Sequence, residues 1–161
     1  MLRRLVLAAA ALSFASSALA STKLDDSLSP RQRIDVVTHW LYDGVGDWNA
    51  DQINALVADV HAMEFRLRTA AFVGRNAEIY LSVPLQVPGL RSPTAMRIEW
   101  TTRGVFSPGA VVPGNRALVY RGKITAAVMS DFFDFRIYLD ARKWERSIEF
   151  DPVFEIDVLA P

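Results

Sequence analysis

The chain of 161 residues contains no cysteine. Disulfide bonds, thiol catalysis and cysteine-ligated metal sites are therefore excluded. A chain of this length does not need such links, because about 140 residues can bury roughly two-thirds of their unfolded surface in one domain. The sequence predicts a fold that is held together by packing alone.

The sequence also has no excess of either charge, with 18 lysine and arginine residues against 18 aspartate and glutamate residues. Removal of residues 1–20 would take away Arg3 and Arg4 and leave 16 basic against 18 acidic residues, a net charge of −2. Such a balance gives no long-range attraction to polyanions or to an acidic membrane surface. Nucleic acid is therefore not an expected partner.

Long apolar runs are missing after the first 20 residues. Two arginines near the start are followed by an apolar stretch from Leu5 to Phe14 and by the small residues Ala18-Leu19-Ala20. This is the pattern of a secretory signal peptide, with cleavage expected after Ala20. A membrane anchor is the alternative, but the apolar stretch is shorter than the about 20 residues that a spanning helix needs. We therefore expect a signal peptide at 1–20, no membrane span after its removal, and a periplasmic or secreted protein of a Gram-negative bacterium.

Two helical patterns lie in the first third of the chain. Ser29-Pro30 provides a capping hydroxyl and a proline at the first helical position. Asn49 and Gln52 have the spacing of a capping box, and an apolar stripe follows them. The two predicted helices are Pro30–Asp43 and Ala50–His61, which together form a helical pair over residues 29–61.

The apolar spacing changes from 3.6 to 2 residues after His61. Alternating apolar residues separated by turn-forming glycine, proline and asparagine predict six or seven strands. They favour an antiparallel β-sandwich of immunoglobulin-like type over residues 62–161, with a partly open β-barrel as the alternative. With residues 21–28 as a flexible lead-in, residues 29–161 are expected to form a single domain of α+β class that is mainly β.

The most regular alternation lies near the C terminus, from Asp131 to Val158. Its large apolar residues occupy the positions Phe133, Phe135, Ile137, Leu139, Ile148, Phe150, Phe154, Ile156 and Val158. An antiparallel hairpin closed at residues 142–145 would place them all on one face, with Leu139 opposite Ile148. Pro152 cannot donate to a ladder, so the last strand is expected at a sheet edge or with a bulge.

Motifs for reaction chemistry are scarce. No G-x-S-x-G nucleophile elbow is present. Asp47, Asn49 and Asp51 match the start of a calcium loop, but Gln52 and Ala58 occupy the positions that need glycine and a bidentate carboxylate. A helix cap with acidic residues near the helix start explains the same segment.

The sequence has two histidines, His39 and His61, which lie on separate predicted helices. They could meet with Asp43 or Asp47 as zinc ligands, but neither has the spacing of a zinc motif. We therefore predict no metal and no other cofactor.

The predicted C-terminal hairpin is rich in carboxylates. They are Asp131, Asp134, Asp140, Glu149, Asp151, Glu155 and Asp157. Two carboxylates can serve as acid and base if one is desolvated and its pKa is raised. Here they are expected on the outward face, where a strand needs charge for solubility. This placement argues against catalysis. A carboxylate-dependent hydrolase that uses Asp131 or Asp134 is the alternative function.

Three aromatic residues, Trp40, Tyr42 and Trp48, flank the glycines between the predicted helices. Amphipathic aromatics in a loop form a good contact surface for a protein or a sugar ring. Attachment of the helices to the sandwich by Trp40 and Trp48 is the favoured interpretation, because large aromatics are usually core material.

These observations predict an exported, non-enzymatic accessory or binding protein of the bacterial cell envelope. Its expected partner is a protein or a glycan, contacted through Trp40, Tyr42 and Trp48. A structural subunit that adds a strand to a neighbour at Asp151–Val158 is a third hypothesis.

Overall fold

Alternating apolar residues build nine strands in the part of the chain that the structure describes. This computed structural model describes residues 21–30, 37–42, 44, 46–145, 148 and 150–160. The strands are β1 (Thr22–Lys23), β2 (Thr38–Trp40), β3 (Ala55–Arg68), β4 (Asn76–Ser82), β5 (Met96–Thr102), β6 (Gly109–Val111), β7 (Arg116–Lys123), β8 (Val128–Asp140) and β9 (Val153–Val158). Short 3₁₀ turns at Ala70–Phe72, Pro93–Ala95 and Ala141–Lys143 lie between strands, and no described residue forms an α-helix.

The strands form two antiparallel sheets that share one core. The four-stranded sheet has the order β1-β9-β4-β7, and the five-stranded sheet has the order β2-β3-β8-β5-β6. Phe133 of β8 meets Phe154 of β9 in the centre, Phe135 stacks on Phe133, and all three side chains are fully buried. The Phe133 and Phe154 ring centroids are 5.8 Å apart across the two sheets. Burial of each ring contributes about 2 to 3 kcal/mol to the stability of this sandwich-like fold.

The strand pairs are nested within one another along the chain. The first strand pairs with the last, β3 pairs with β8, β4 pairs with β7, and β5 pairs with β6. The chain therefore resembles one long hairpin with its tip at β5 and β6, rolled so that successive pairs alternate between the sheets. This is the strand order of a jelly roll. The predicted immunoglobulin-like order, which places the first strand beside the second in one sheet, does not match it.

The predicted C-terminal hairpin is wrong in its pairing. β8 lies between β3 and β5 in one sheet, and β9 lies between β1 and β4 in the other. The expected faces are correct, since Phe133, Leu139 and Phe154 all point into the core. The two apolar faces cover each other across the sandwich instead of lying side by side. Pro152 directly precedes β9, which is not an edge strand.

The predicted helical pair is also wrong where the structure describes it. Thr38–Trp40 is a strand that pairs with β3, and the second predicted helix is replaced from Ala55 onward by β3 itself. β3 pairs along its whole length with β8, and these ladder bonds decide its conformation. Residues 31–36 of the first predicted helix lie outside the described residues.

The segment 21–28 is part of the fold and not a lead-in. β1 pairs with β9, and Leu24 is 2% exposed in the core. Its backbone N–H donates to the carbonyl oxygen of Phe154 at 2.8 Å. The predicted signal peptide, residues 1–20, lies outside the described residues. No helix in the described part of the chain is long and apolar enough to cross a membrane.

Candidate functional site

The three aromatic residues singled out from the sequence are partly exposed at the edge of the five-stranded sheet. Trp40 ends the edge strand β2 and is 50% exposed, while Tyr42 and Trp48 are 39% and 38% exposed. The Tyr42 and Trp48 ring centroids are 5.1 Å apart, with a tilt of 37° between the ring planes. The expectation that these residues join helices to the sandwich does not hold. We call the three residues the aromatic patch.

Two members of the aromatic patch, Tyr42 and Trp48, lie in one loop, which we call the β2–β3 loop (residues 41–54), while Trp40 precedes it in β2. The Trp48 indole lies against Gly46, where an added Cβ would be 2.9 Å from two indole carbons. The same indole donates its Nε1–H to the carbonyl oxygen of Gly44 at 3.3 Å. The ring of Trp48 is therefore fixed by glycine backbone, without being buried.

The predicted capping box forms and closes the C-terminal half of this loop. The Asn49 side-chain oxygen accepts the backbone N–H groups of Asp51 and Gln52, each at 3.0 Å. The Gln52 side chain accepts the Asn49 N–H at 3.0 Å, and the Ile53 N–H donates to the Asn49 carbonyl. The predicted capping box is therefore confirmed, but it caps a single turn that leads into β3 and not a helix. The Asn49 side chain acts as a cap here, as the alternative to a calcium loop predicted.

A second candidate surface, a groove on the outer face of the five-stranded sheet, was missed in the sequence. Its volume is 530 Å³, and Pro108–Ala110 form one wall. Its polar lining comprises Asp59, His61, Glu99, Thr101, Asp134 and Arg136. It lies beside a β-bulge between Val60 and Met63, in which Ala62 has a φ of +56°. Bulges and left-handed non-glycine residues are enriched near functional sites, so the groove is a second candidate site beside the aromatic patch.

The sequence does contain a signal for this bulge. The inward residues of β3 occupy even positions up to Val60 and odd positions from Met63 onward. One extra residue inserted into a strand changes this parity. The predicted boundary between helix and sandwich instead falls within the bulge, with His61 at the end of the helix and Ala62 at the start of the β region.

Asp134 is the residue that fixes the bulge. It accepts the Ala62 N–H at 2.7 Å, and the Arg103 guanidinium donates to both of its oxygens. The Ala62 hydrogen bond, followed by that of Arg103, lowers the pKa of Asp134 below its usual range. Its Oδ1 is also 3.7 Å from Nδ1 of the exposed His61.

Asp59 in the groove is in a similar state. Its hydrogen bonds with Arg136, at 2.7 and 3.0 Å, lower the pKa of Asp59. Both carboxylates are therefore ionised near neutral pH, and neither can serve there as a general acid.

Asp131 points into the fold, which corrects its predicted place on the outward face. It is 4% exposed and shares the inward parity of Phe133. Its carboxylate accepts the backbone N–H groups of Arg103, Phe106 and Phe132 at 3.2, 3.0 and 2.7 Å. Asp131 thus holds the connection between β5 and β6, and it does not line the groove.

The remaining candidates do not form a metal site. His39 lies in β2 opposite Val57, and both His39 and His61 are close enough to Asp59 to contribute to the lowering of its pKa, after Arg136. Asp47 is exposed in the β2–β3 loop. No group of three or more histidine, aspartate or glutamate side chains in the described ranges is arranged to hold a metal ion.

No protein-family model matches this chain, and no curated protein or solved structure matches it either. Function is therefore inferred from the site residues themselves.

Proposed function

We propose that this protein is an exported, non-enzymatic binding protein of the bacterial cell envelope that contacts a protein or a glycan through the aromatic patch. The observation that supports this most strongly is the Tyr42–Trp48 ring pair, which is exposed yet held in place by its loop. Rings that are already ordered lose little conformational entropy when a partner binds. Export is proposed from the sequence pattern of residues 1–20.

The hydrolase alternative loses support from the carboxylates it would use. Asp131 is buried and accepts three backbone N–H groups, while Asp134 is tied to Ala62 and Arg103. Acid and base catalysis needs one carboxyl group with a raised pKa, and the pKa of Asp134 is lowered.

The strand-addition alternative at Asp151–Val158 also loses support. Backbone groups of β9 already pair with β4 on one side and with β1 on the other. A neighbouring chain could not add to β9 there without displacing β1.

Binding through the aromatic patch can be tested with protein purified after expression of the full chain. Cross-linking to envelope fractions and a glycan array would be compared for wild type, Tyr42→Ala and Trp48→Ala. Phe132→Ala is the matched control, because Phe132 is 42% exposed in β8, a strand that β3 separates from β2. We expect one identified partner to be lost in both patch variants and kept in the control. Equal binding by all variants, or turnover of ester, glycoside or peptide substrates that Asp134→Asn abolishes, would contradict the proposal.

A further inference from the structure

We infer that the aromatic patch recognises a cationic ligand, namely a segment of a partner protein that carries arginine or lysine side chains. This inference rests on the proposed function, since it names the chemistry of the partner that the same surface binds. It is carried by the charge of the β2–β3 loop, the geometry of its rings and the exposed apolar residues close to them in the sequence.

All the charged residues of the β2–β3 loop are acidic. Residues 41–54 contain Asp43, Asp47 and Asp51 and no lysine or arginine, although the whole chain is neutral. Asp47 is exposed and directly precedes Trp48, and the Asp51 side chain is 86% exposed. Negative charge next to exposed rings favours a positively charged ligand and disfavours an acidic one.

In the described part of the chain, the ion pair that reaches this loop involves Asp51 and not Asp47. Arg142 donates to Asp51 at 2.8 Å and to both oxygens of Asp140, at 2.9 and 2.8 Å. Lys143 Nζ is 3.6 Å from Asp140, so two cations balance these two carboxylates. Asp47 remains on the loop as a charge for a ligand to meet.

The ring pair suits a cation as well as an apolar group. Arginine and lysine are attracted to the face of an indole or phenol ring within about 6 Å of its centroid. Trp48 and Tyr42 present such rings on the loop that carries Asp47, and Gly46 fixes the indole. Elsewhere the same chain uses this contact, since the Arg116 guanidinium lies 4.0 Å from the Tyr80 ring centroid.

Exposed apolar side chains close to the aromatic patch in the sequence favour a protein segment over a small free cation. Val37 and Ile53 are 81% and 53% exposed, and Leu41 is also exposed. A small amine would leave these residues in contact with water. A segment with alternating apolar and basic residues would cover them and also reach Trp48 and Asp47.

The test uses a short peptide of alternating leucine and arginine as the probe, with binding to the purified full-length chain followed by calorimetry. A peptide with citrulline in place of arginine has nearly the same shape without the charge. We expect binding that weakens as salt is added, and a loss of about fivefold to thirtyfold in Trp48→Ala and Tyr42→Ala. Asp47→Asn should weaken binding and its salt dependence, whereas Asp151→Asn, an exposed aspartate outside the loop, should change neither.

Three outcomes would overturn the inference. They are no binding of the arginine peptide up to about 1 mM, equal affinity for the citrulline peptide, and an equal effect of Asp47→Asn and Asp151→Asn. If a neutral glycan binds in a Trp48-dependent manner while the arginine peptide does not, the inference fails and the proposed function stands. Far-ultraviolet circular dichroism of each variant shows whether the fold is kept.

Discussion

At the scale of single residues, Asp131 and Asp134 show how position in a strand decides the role of a carboxylate. They are three residues apart in β8 and therefore point to opposite faces of the sheet. Asp131 accepts three N–H groups inside the fold, and Asp134 accepts the N–H of the bulge residue Ala62 outside it. Both accept N–H groups of irregular backbone, in the β5–β6 connection and in the β3 bulge, which is a structural role.

The lowered pKa of Asp134 predicts a pH dependence of stability. Because the folded-state pKa lies below the unfolded value of about 3.9, ionised Asp134 stabilises the fold above that pH, and this contribution is lost as the pH falls through the folded-state pKa. Asp134→Asn keeps an oxygen for Ala62 but has no charge for Arg103. We expect this variant to have a lower free energy of unfolding than wild type near neutral pH. We expect this difference to disappear below about pH 4.

Urea unfolding of wild type and Asp134→Asn across this pH range measures the gap in the free energy of unfolding. Asp151→Asn is the control, since no hydrogen bond or ion pair of Asp151 is present among the described residues. A gap between wild type and Asp134→Asn that is the same at all pH values would contradict the prediction.

At the scale of elements, β3 shows what its sequence could and could not reveal. Asn49 and Gln52 correctly indicate a capped turn, which is a local property of neighbouring residues. Leu56 and Val60 fit a helical spacing and also a strand spacing, so they could not decide whether the turn leads into a helix or a strand. Pairing with β8, a strand 60 to 85 residues away along the chain (Arg68 with Val128, Ala55 with Asp140), decides it.

The same limit applies to the candidate site. The sequence indicates that Trp40, Tyr42 and Trp48 lie around a glycine-containing loop, and the structure places them there. Their exposure could not be predicted, because it depends on which elements cover the loop. The helices expected on either side of it are a strand and a single turn, and neither covers the rings.

The bulge in β3 leads to a prediction about Ala62. Its φ of +56° costs an alanine about 1 to 2 kcal/mol, whereas glycine adopts this backbone conformation freely. Glycine also gains about 0.4 to 1 kcal/mol of entropy in the unfolded chain, which opposes the benefit. We therefore expect Ala62→Gly to stabilise the protein by about 0.5 to 1 kcal/mol.

Ala110→Gly, in the regular strand β6, is the matched control and should lower stability by about 0.5 to 1 kcal/mol. Chemical denaturation of both variants provides the comparison. If Ala62→Gly destabilises the protein as much as Ala110→Gly does, the backbone of Ala62 is not strained.

At the scale of the whole molecule, the alternation of apolar and polar residues indicates which face of each strand is buried. It does not indicate which strand lies beside it in the sheet. Phe133 and Phe154, expected on one face of a hairpin, are in contact across the two sheets and not along one. In the nested arrangement the outer pairs, β1 with β9 and β3 with β8, join strands that are distant along the chain, so no short-range pattern can reveal these partners. The outermost pair, β1 with β9, joins the beginning and the end of the described fold.

This closure predicts that the segment 21–28 contributes to global stability. Leu24 is 2% exposed among core residues, while Leu28 is 39% exposed in the same segment. Leu24→Ala would leave a cavity beside β9, and we expect it to lower the free energy of unfolding by about 2 to 4 kcal/mol. Leu28→Ala removes the same atoms from a partly exposed position and should cost less than about 0.5 kcal/mol. Urea unfolding curves of the two variants measure this difference. If both substitutions have the same small effect, β1 is not a structural part of the fold, and the jelly roll closes without it.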